Sequence, residues 1–408
     1  MSQSLNKPLL PGEMQANGHL STLGVMGGGQ LGRMFVHSAQ AMGYFTAVLD
    51  ADPSSPAGLV SHYHVQTPYK DEQGLAQLMQ RSGAITTEFE NVPAPALVTL
   101  GAHRPVAPGA AAVAIAQDRI DEKAHFVACA SSTGVGPAPY AAIDSEALLQ
   151  AVPADLLPGI LKTARLGYDG KGQARVNTRE ELAAAWDNMG RVPCVLEKRL
   201  HLHDELSVIV ARGAHGDMVN FPVQRNVHRN GILAVTEVYD GLLDPALAEQ
   251  AIATTRAIAQ HLNYVGVLCV EFFVVTHSNG TLGLVVNEMA PRPHNSGHYT
   301  QNACDLSQFD LQVRAMAGLP LVQPRQHSPA IMLNLLGDLW VDAQGHHTRT
   351  PDWAAVLALP GTHLHLYGKL SARPGRKMGH LNITGPSVQA VQATALQAAQ
   401  VLGIAPWR

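Results

Sequence analysis

The run Pro291-Arg292-Pro293-His294-Asn295-Ser296-Gly297-His298 sets an arginine, an asparagine and two histidines within seven residues. It follows an apolar stretch that contains the acid Glu288. Arg292 offers a planar fork for a small oxyanion, and Asn295 a neutral amide that can orient one. Glu288, with Glu271 on the preceding apolar stretch, supplies hard oxygen ligands of the kind Mg²⁺ prefers. A solvated loop of the same composition is the alternative, so the rest of the chain must decide.

Acids inside apolar strands are rarely left unpaired, which leaves Glu271 and Glu288 either on a metal ion or in a buried salt bridge. Lys162 lies on a predicted strand and is followed by Gly167-Tyr168-Asp169-Gly170-Lys171-Gly172-Gln173. A loop with three glycines and Lys171, facing a strand lysine, suits a lid over a polyphosphate; an ordinary hairpin loop is the rival. It is not a Walker A loop, because no Ser or Thr follows the lysine. Glu197 and Glu205 flank a short link between two strands and could accept bonds from an adenine amine or a ribose, or be plain strand-end acids. His228 ends another strand, where surface roles are common.

Gly27-Gly28-Gly29-Gln30-Leu31-Gly32 fits G-x-G-x-x-G between a predicted strand and helix, with Asp50 and Asp52 some twenty residues on. That pattern leaves open a dinucleotide site, another phosphate or small-molecule contact, or pure turn geometry. Near the C-terminus, Lys369, Arg373, Arg376 and Lys377 cluster around Pro374-Gly375. This suits a phosphate monoester or a solvated charge run.

These residues need a frame. Residues 22–86 alternate strands at 22–27, 45–49 and 84–86 with helices at 31–42 and 71–81, a βαβαβ rhythm that implies a parallel sheet. The Pro/Gly/Ala segment 92–114 reads as a connection and 118–130 as a helix. Strands at 160–163, 194–200, 205–212, 219–227, 231–239, 265–275 and 281–289 then give an α+β region rich in antiparallel pairs, with helices at 179–189 and 244–262. Past Pro320, strands at 331–335, 363–367 and 378–384 precede a closing helix. Residues 1–20 read as a disordered tail without the order of a signal peptide.

At 408 residues, two or three domains are expected. A net charge of -4 argues against a general nucleic-acid binder. No apolar run approaches the ~20 residues of a membrane span. The four cysteines form no CxxC pair, which suits a reducing cytosol and a cytoplasmic protein.

Five stretches in order, GGGQLGRM from Gly27, TTEFENVP from Thr86, GYDGKGQ from Gly167, PRPHNSGHYTQN from Pro291 and RPGRKMGHLN from Arg373, resemble the ATP-grasp ligases. More closely they resemble the N5-carboxyaminoimidazole ribonucleotide synthases of purine biosynthesis. The resemblance implies an α/β and α+β chain: a parallel-sheet pre-ATP-grasp domain at 21–115, a split ATP-grasp domain at 116–320 with a lid near 140–205, and a small β-rich domain at 321–408. It implies ATP and Mg²⁺, 5-aminoimidazole ribonucleotide and bicarbonate as partners, carboxyphosphate as intermediate, and a homodimer without nucleic acid or membrane. By position, Arg119, Lys162, Lys171 and Gln173 would serve the ATP phosphates, Glu197 and Glu205 the adenine and ribose, and His228 the nucleotide's flank. Glu271 and Glu288 would bind Mg²⁺, and Arg292, His294 and Asn295 the bicarbonate. Gln30 and Glu88 would touch the ribonucleotide, and Lys369 and Arg376 its phosphate.

The first 20 residues, the turn around residues 276–283 and Gln301 depart from that pattern without removing a functional group. The rival readings are a formate-using ribonucleotide transformylase, a nicotinamide oxidoreductase resting on the glycine turn, and a non-catalytic nucleotide sensor.

Overall fold

The computed structural model describes residues 7–167, 172–277, 279–342, 344, 346–347 and 349–407. Lys171, expected in the lid, lies outside them.

Four short strands, β1 (Thr22–Met26), β2 (Phe45–Leu49), β3 (Tyr63–Val65) and β4 (Ala84–Thr87), form a parallel sheet in the order β3-β2-β1-β4. β1 is buried along its whole length, as a strand covered on both faces must be. The chain winds outward from β1 in both directions, so the carboxyl ends of β1 and β4 flank a crevice. Gln30 opens the helix Gln30–Ala41 at one lip, and Glu88 follows β4 at the other.

A second sheet holds β5 (Tyr140–Ile143), β6 (Gly159–Thr163), β7 (Gln173–Val176) and β8 (Cys194–Lys198), all antiparallel in the order β5-β8-β6-β7. Its core is Leu161, Leu182, Trp186 and Leu196 against the helix Arg179–Asn188. The third sheet is antiparallel and holds β9 (Leu202–Arg212), β10 (Met218–Asn220), β11 (Gln224–Arg229), β12 (Ile232–Val238), β13 (Gly266–Thr276), β14 (Leu282–Ala290), β15 (Ala330–Leu336), β16 (Thr362–Leu366) and β17 (Lys377–Thr384). Its path runs β14-β13-β9-β11-β12-β15-β17-β16, with β10 beside β9. The period-2 alternation of β9 and β13 sends Leu206, Val208, Leu268 and Val270 to one face and Ile209, Ala211, Val267 and Cys269 to the other. The first face packs on Phe126 and Ile258 of the helices Arg119–Thr133 and Pro245–His261, the second on Tyr299 and Leu311.

Several expectations change. The strands of the small C-terminal β-rich part are joined to the large sheet, Val235 of β12 standing opposite Leu333 of β15. The single strand expected at 219–227 splits around Phe221-Pro222-Val223, where proline removes a ladder donor. The segment 92–114 contains the helices Ala94–Gly101 and Ala110–Ala116, its alanines and leucines outweighing the Pro and Gly beside them. The tail reading fails over residues 7–20. Leu9 is buried, its N–H donates to the Ala317 carbonyl at 2.8 Å, and Met14 bridges to Leu20. One apolar side chain with a matching slot suffices to fix an otherwise polar stretch.

Candidate active site

Two adjoining cavities collect most of the singled-out residues. The larger, about 970 Å³, lies between the β5–β8 sheet and the large sheet. Arg119, Lys162, Gln173, Glu197, Glu205, His228, Glu271 and Glu288 line it. The smaller, about 380 Å³, opens at the β1/β4 crevice beside Gln30 and Glu88. Glu90, Arg292, His294, Asn295 and Lys377 line both.

Glu271 and Glu288 are cross-strand partners on β13 and β14, so their side chains leave the same face of the sheet. The register slips immediately beyond them: Phe272 faces Val286, leaving Asn287 as the extra residue. Such a bulge turns neighbouring side chains toward a cavity. Arg119, first residue of its helix, donates from Nη1 to Glu288 Oε2 at 3.0 Å. Burial pushes the Glu288 carboxyl up, but Arg119, then Lys162, outweigh it and hold it well below the usual range. Glu271 is raised by burial and by the Glu288 charge. It faces neutral His294, whose Nε2 is 3.4 Å from Glu271 Oε1 and whose proton affinity burial and Arg292 lower. Glu288 is thus the ionised member and Glu271 the one that tends to keep its proton while no cation joins the pair, and the buried Asn287 Oδ1 has no hydrogen-bond partner among the described residues. Among the described residues no three carboxylate, histidine or cysteine side chains gather into a metal cage. Two carboxylates leaving room for phosphate oxygens are what Mg²⁺ takes. The residues fit that ion.

Lys162 on β6 stands opposite Gln173 on β7. Its Nζ donates to Glu197 Oε2 at 3.1 Å, and Lys123 Nζ approaches Glu197 Oε1 at 3.3 Å. Glu197 is thus held between two lysines instead of standing free for a base or ribose. Lys123 is completely buried and went unnoticed in the sequence. Its signal was there: Arg119, Glu122 and Lys123 sit at i, i+3 and i+4, one face of a helix. Glu205 Oε2 lies 2.6 Å from His228 Nδ1. Burial lowers the His228 proton affinity, but the Glu205 bond and the Glu271 charge overcome it and raise it.

The fork of Arg292 is not free on all sides. Its Nε donates to Glu90 Oε2 at 2.6 Å and its Nη1 to the Pro293 carbonyl at 3.2 Å. Glu90, missed in the sequence although it lies in TTEFENVP, therefore sets the plane of the guanidinium. Asn295 is buried, and neither its Oδ1 nor its Nδ2 has a partner among the described residues. Two unsatisfied polar atoms facing two cavities mark a ligand position.

The glycine turn is already filled. Gly28 N–H donates to Asp50 Oδ2 at 2.7 Å, Gly29 N–H to Glu88 Oε1 at 2.7 Å and Gly32 N–H to Glu88 Oε2 at 2.9 Å. The protein's own carboxylates thus occupy the helix N-terminus that a pyrophosphate would need, and the dinucleotide reading falls. Both Glu88 oxygens are engaged by the turn, so Glu88 shapes the wall of the smaller cavity. A Cβ on Gly29 would press against the Glu88 carboxylate. Gly29→Ala is therefore expected to destabilise the fold by about 1–3 kcal/mol, read as a lowered urea midpoint; an unchanged midpoint would show that the turn tolerates displacement of Glu88.

Lys369 and Arg376 line neither cavity. Lys369 Nζ donates to the Lys377 carbonyl at 2.6 Å, and Arg376 Nη1 to the Ser371 carbonyl at 2.6 Å. A Cβ on Gly368 would come within 3.2 Å of Arg33 Nη1, so the loop that Gly368 opens lies against the helix Gln30–Ala41. The member of that basic cluster that enters the cavities is Lys377.

Residues 20–117 match the ribonucleotide synthetase preATP-grasp domain family, 128–309 the ATP-grasp domain family, and 330–394 the phosphoribosylaminoimidazole carboxylase C-terminal domain family. The chain is 42% identical over 369 residues to an N5-carboxyaminoimidazole ribonucleotide synthase of Brucella melitensis, covering 90% of this chain and 97% of that one. Its fold is similar to N5-carboxyaminoimidazole synthetase from Staphylococcus aureus complexed with ADP (TM-score 0.84, 35% identity, 97% and 100% covered). It is similar also to the Aspergillus clavatus enzyme in complex with ADP and 5-aminoimidazole ribonucleotide (TM-score 0.81, 29% identity, 94% and 98% covered).

Proposed function

We infer the activity from membership: the chain belongs to the N5-carboxyaminoimidazole ribonucleotide synthase family of ATP-grasp enzymes. It is an ATP-dependent carbon–nitrogen ligase of purine biosynthesis that acts on 5-aminoimidazole ribonucleotide. Bicarbonate is the second substrate, and carboxyphosphate the intermediate. The observation that carries this reading is the shared wall of the two cavities. Arg292, His294 and Asn295 stand between the acid pair on one side and the crevice of Gln30 and Glu88 on the other.

The chemistry follows from that placement. Bicarbonate is a poor electrophile until one oxygen carries a good leaving group. In the larger cavity Lys162 and Arg119 meet the ATP phosphates, Gln173 contributes from β7, and Glu205 with His228 borders the nucleoside. Lys162 reaches a phosphate by sharing itself with Glu197. Glu271 and Glu288 would hold Mg²⁺, which supplies charge neutralisation to the phosphates. Arg292 and Asn295 fix bicarbonate so that its oxygen attacks the terminal phosphorus and ADP leaves. The ribonucleotide amine, entering from the smaller cavity, then attacks the carboxyl carbon. A carbon–nitrogen bond forms, the carbon–oxygen bond to phosphate breaks, and the amine gives up a proton. Lys369 and Arg376 hold the ribonucleotide phosphate at the crevice mouth. Arg292 and His294, partly buried, and Asn295, buried, leave little room for water beside the anhydride.

The deciding experiment is ADP release by the purified enzyme with bicarbonate or formate and each candidate ribonucleotide. Turnover that needs bicarbonate and the aminoimidazole ribonucleotide is expected. Formate-dependent turnover without response to bicarbonate would replace this reading by the transformylase. Glu90→Gln removes the charge that orients Arg292 and is expected to lower kcat/KM for bicarbonate on the order of tenfold. Saturation curves in bicarbonate check it, and an unchanged value would free Arg292 from its dependence on Glu90. The enzyme works in the cytoplasm as a homodimer, so light scattering should give twice the 43.4 kDa chain mass; the chain mass itself would refute the dimer.

A further inference from the structure

His298 closes the PRPHNSGH run, and the reaction described above gives it no task. It is 1% exposed and lines the smaller cavity. We propose that His298 contacts the ribonucleotide directly, its Nε2–H donating to the uncharged ring nitrogen of the aminoimidazole. This deepens the reading of the smaller cavity as the ribonucleotide site and rests on it.

The tautomer is written into the hydrogen bonds around Gln308. That side chain is fully buried at the start of the helix Gln308–Ala317. The His294 backbone N–H donates to Gln308 Oε1 at 2.8 Å. A backbone N–H can only donate, so the amide oxygen must lie on that side and the amide nitrogen on the other. Gln308 Nε2 accordingly donates to the His294 carbonyl at 2.7 Å and to His298 Nδ1 at 3.1 Å. His298 Nδ1 is therefore an acceptor, and a neutral His298 carries its proton on Nε2. The amide cannot flip, because a flip would set its NH₂ against the His294 N–H.

The other polar atoms of His298 are spoken for. Its N–H donates to the Asn295 carbonyl at 3.1 Å, and its carbonyl accepts from Asn382 Nδ2 at 2.8 Å. Nε2 makes no hydrogen bond among the described residues. The ring is clamped between His380, 4.6 Å away centroid to centroid, and Phe309, at 5.9 Å, with Tyr367 edge-on at 6.2 Å. It cannot swing to find another partner.

Its charge state fits the same task. Burial, and the nearby His365, Lys377 and Arg292, hold the ring neutral across the working pH range. The cavity already has cations for anionic oxygens in Lys377 and Arg292. A fixed, uncharged N–H adds something different: recognition of a neutral lone pair without drawing a second anion into the pocket. Within an aminoimidazole ribonucleotide the unsubstituted ring nitrogen is such a lone pair.

The test compares binding of 5-aminoimidazole ribonucleotide with that of its analogue bearing C–H in place of that ring nitrogen, by calorimetry with ADP and Mg²⁺ present. The unmodified enzyme is expected to bind the analogue roughly tenfold more weakly. His298→Phe is expected to weaken the parent by the same factor and the analogue no further. In ¹⁵N-histidine spectra of the unmodified enzyme, His298 should show a protonated Nε2 and an unprotonated Nδ1 throughout the neutral range. Equal binding of parent and analogue by the unmodified enzyme overturns the proposal, as does a proton found on Nδ1; neither measurement depends on the variant folding. Failure of the unmodified enzyme to bind the parent at all would instead strike the ribonucleotide reading of the cavity, and this proposal with it.

Discussion

Glu288→Ala is expected to cut kcat on the order of a thousandfold while the protein still melts cooperatively. The carboxylate has two jobs that alanine cannot do. It holds Arg119 at 3.0 Å, and it is the member of the acid pair that stays ionised, since Arg119 and Lys162 outweigh the burial that opposes its charge. Without it Glu271 alone would be left to serve the proposed phosphate and Mg²⁺ site, and Arg119 would lose its anchor. Removing one preorganised electrostatic contact at a transferring group typically costs about 10²–10³ in rate, and here two are lost together. The fold should survive because β14 keeps its ladder to β13 and Arg119 retains some solvent contact. Steady-state ADP release paired with a thermal melt separates the outcomes. Near-normal turnover with an intact melt would remove Glu288 from the phosphoryl-transfer site.

The second large effect falls on stability. Glu197→Ala removes the carboxylate that Lys123 and Lys162 both approach, leaving the two ammonium groups to repel one another, and Lys123 has no access to water. Breaking a buried pair from one side costs about 3–5 kcal/mol, and urea unfolding should show a loss of that size. A loss under about 1 kcal/mol, the worth of a surface pair, would mean that the two lysines find other neutralisation. The pH dependence has a definite sign. Burial raises the Glu197 carboxyl, but Lys162 and Lys123 together hold it below its ordinary value of 4.5. A depressed acid stabilises the fold at pH values above that ordinary value, and the contribution is lost as pH falls through the folded value. The native enzyme should therefore lose stability more steeply on acidification below pH 4.5 than the Glu197→Ala variant does.

Much of the frame was legible because its strands obey simple rules. β1, β2 and β4 are short apolar runs separated by helix-like stretches, and β9 and β13 carry long runs of Val, Ile, Leu and Phe that are buried on both faces. The helix Gln308–Ala317 was not seen, and the reason is physical. Its inward face carries Gln308 and Gln312, which look like surface residues in a sequence but are buried as hydrogen-bond brackets. Gln312 accepts from Val267 N–H and donates to Thr86 Oγ1 and the Ala107 carbonyl. In the site, the residue types and their order along the chain were readable, whereas the pairings were not. Glu197 was expected at the nucleoside and is bound to two lysines. Arg292 was expected to present an open fork and is steadied by Glu90, 202 residues away in the chain. Sequence spacing reports neighbours along a strand or helix. It says nothing of which distant charge closes on which.

The large sheet carries one more implication. From β13 to β17 the path crosses five strand-to-strand steps, roughly 24 Å if the sheet lay flat. Yet Lys377, at the start of β17, lines the same cavity as Glu271 on β13, and its charge reaches that carboxyl. The sheet must coil back on itself, like a hand cupped around what it holds. Curvature, then, and not a loop, brings the C-terminal cation to the acid pair. Substitutions that flatten or tighten the sheet far from either residue, at β12 or β15, would change their separation and so tune catalysis from the frame.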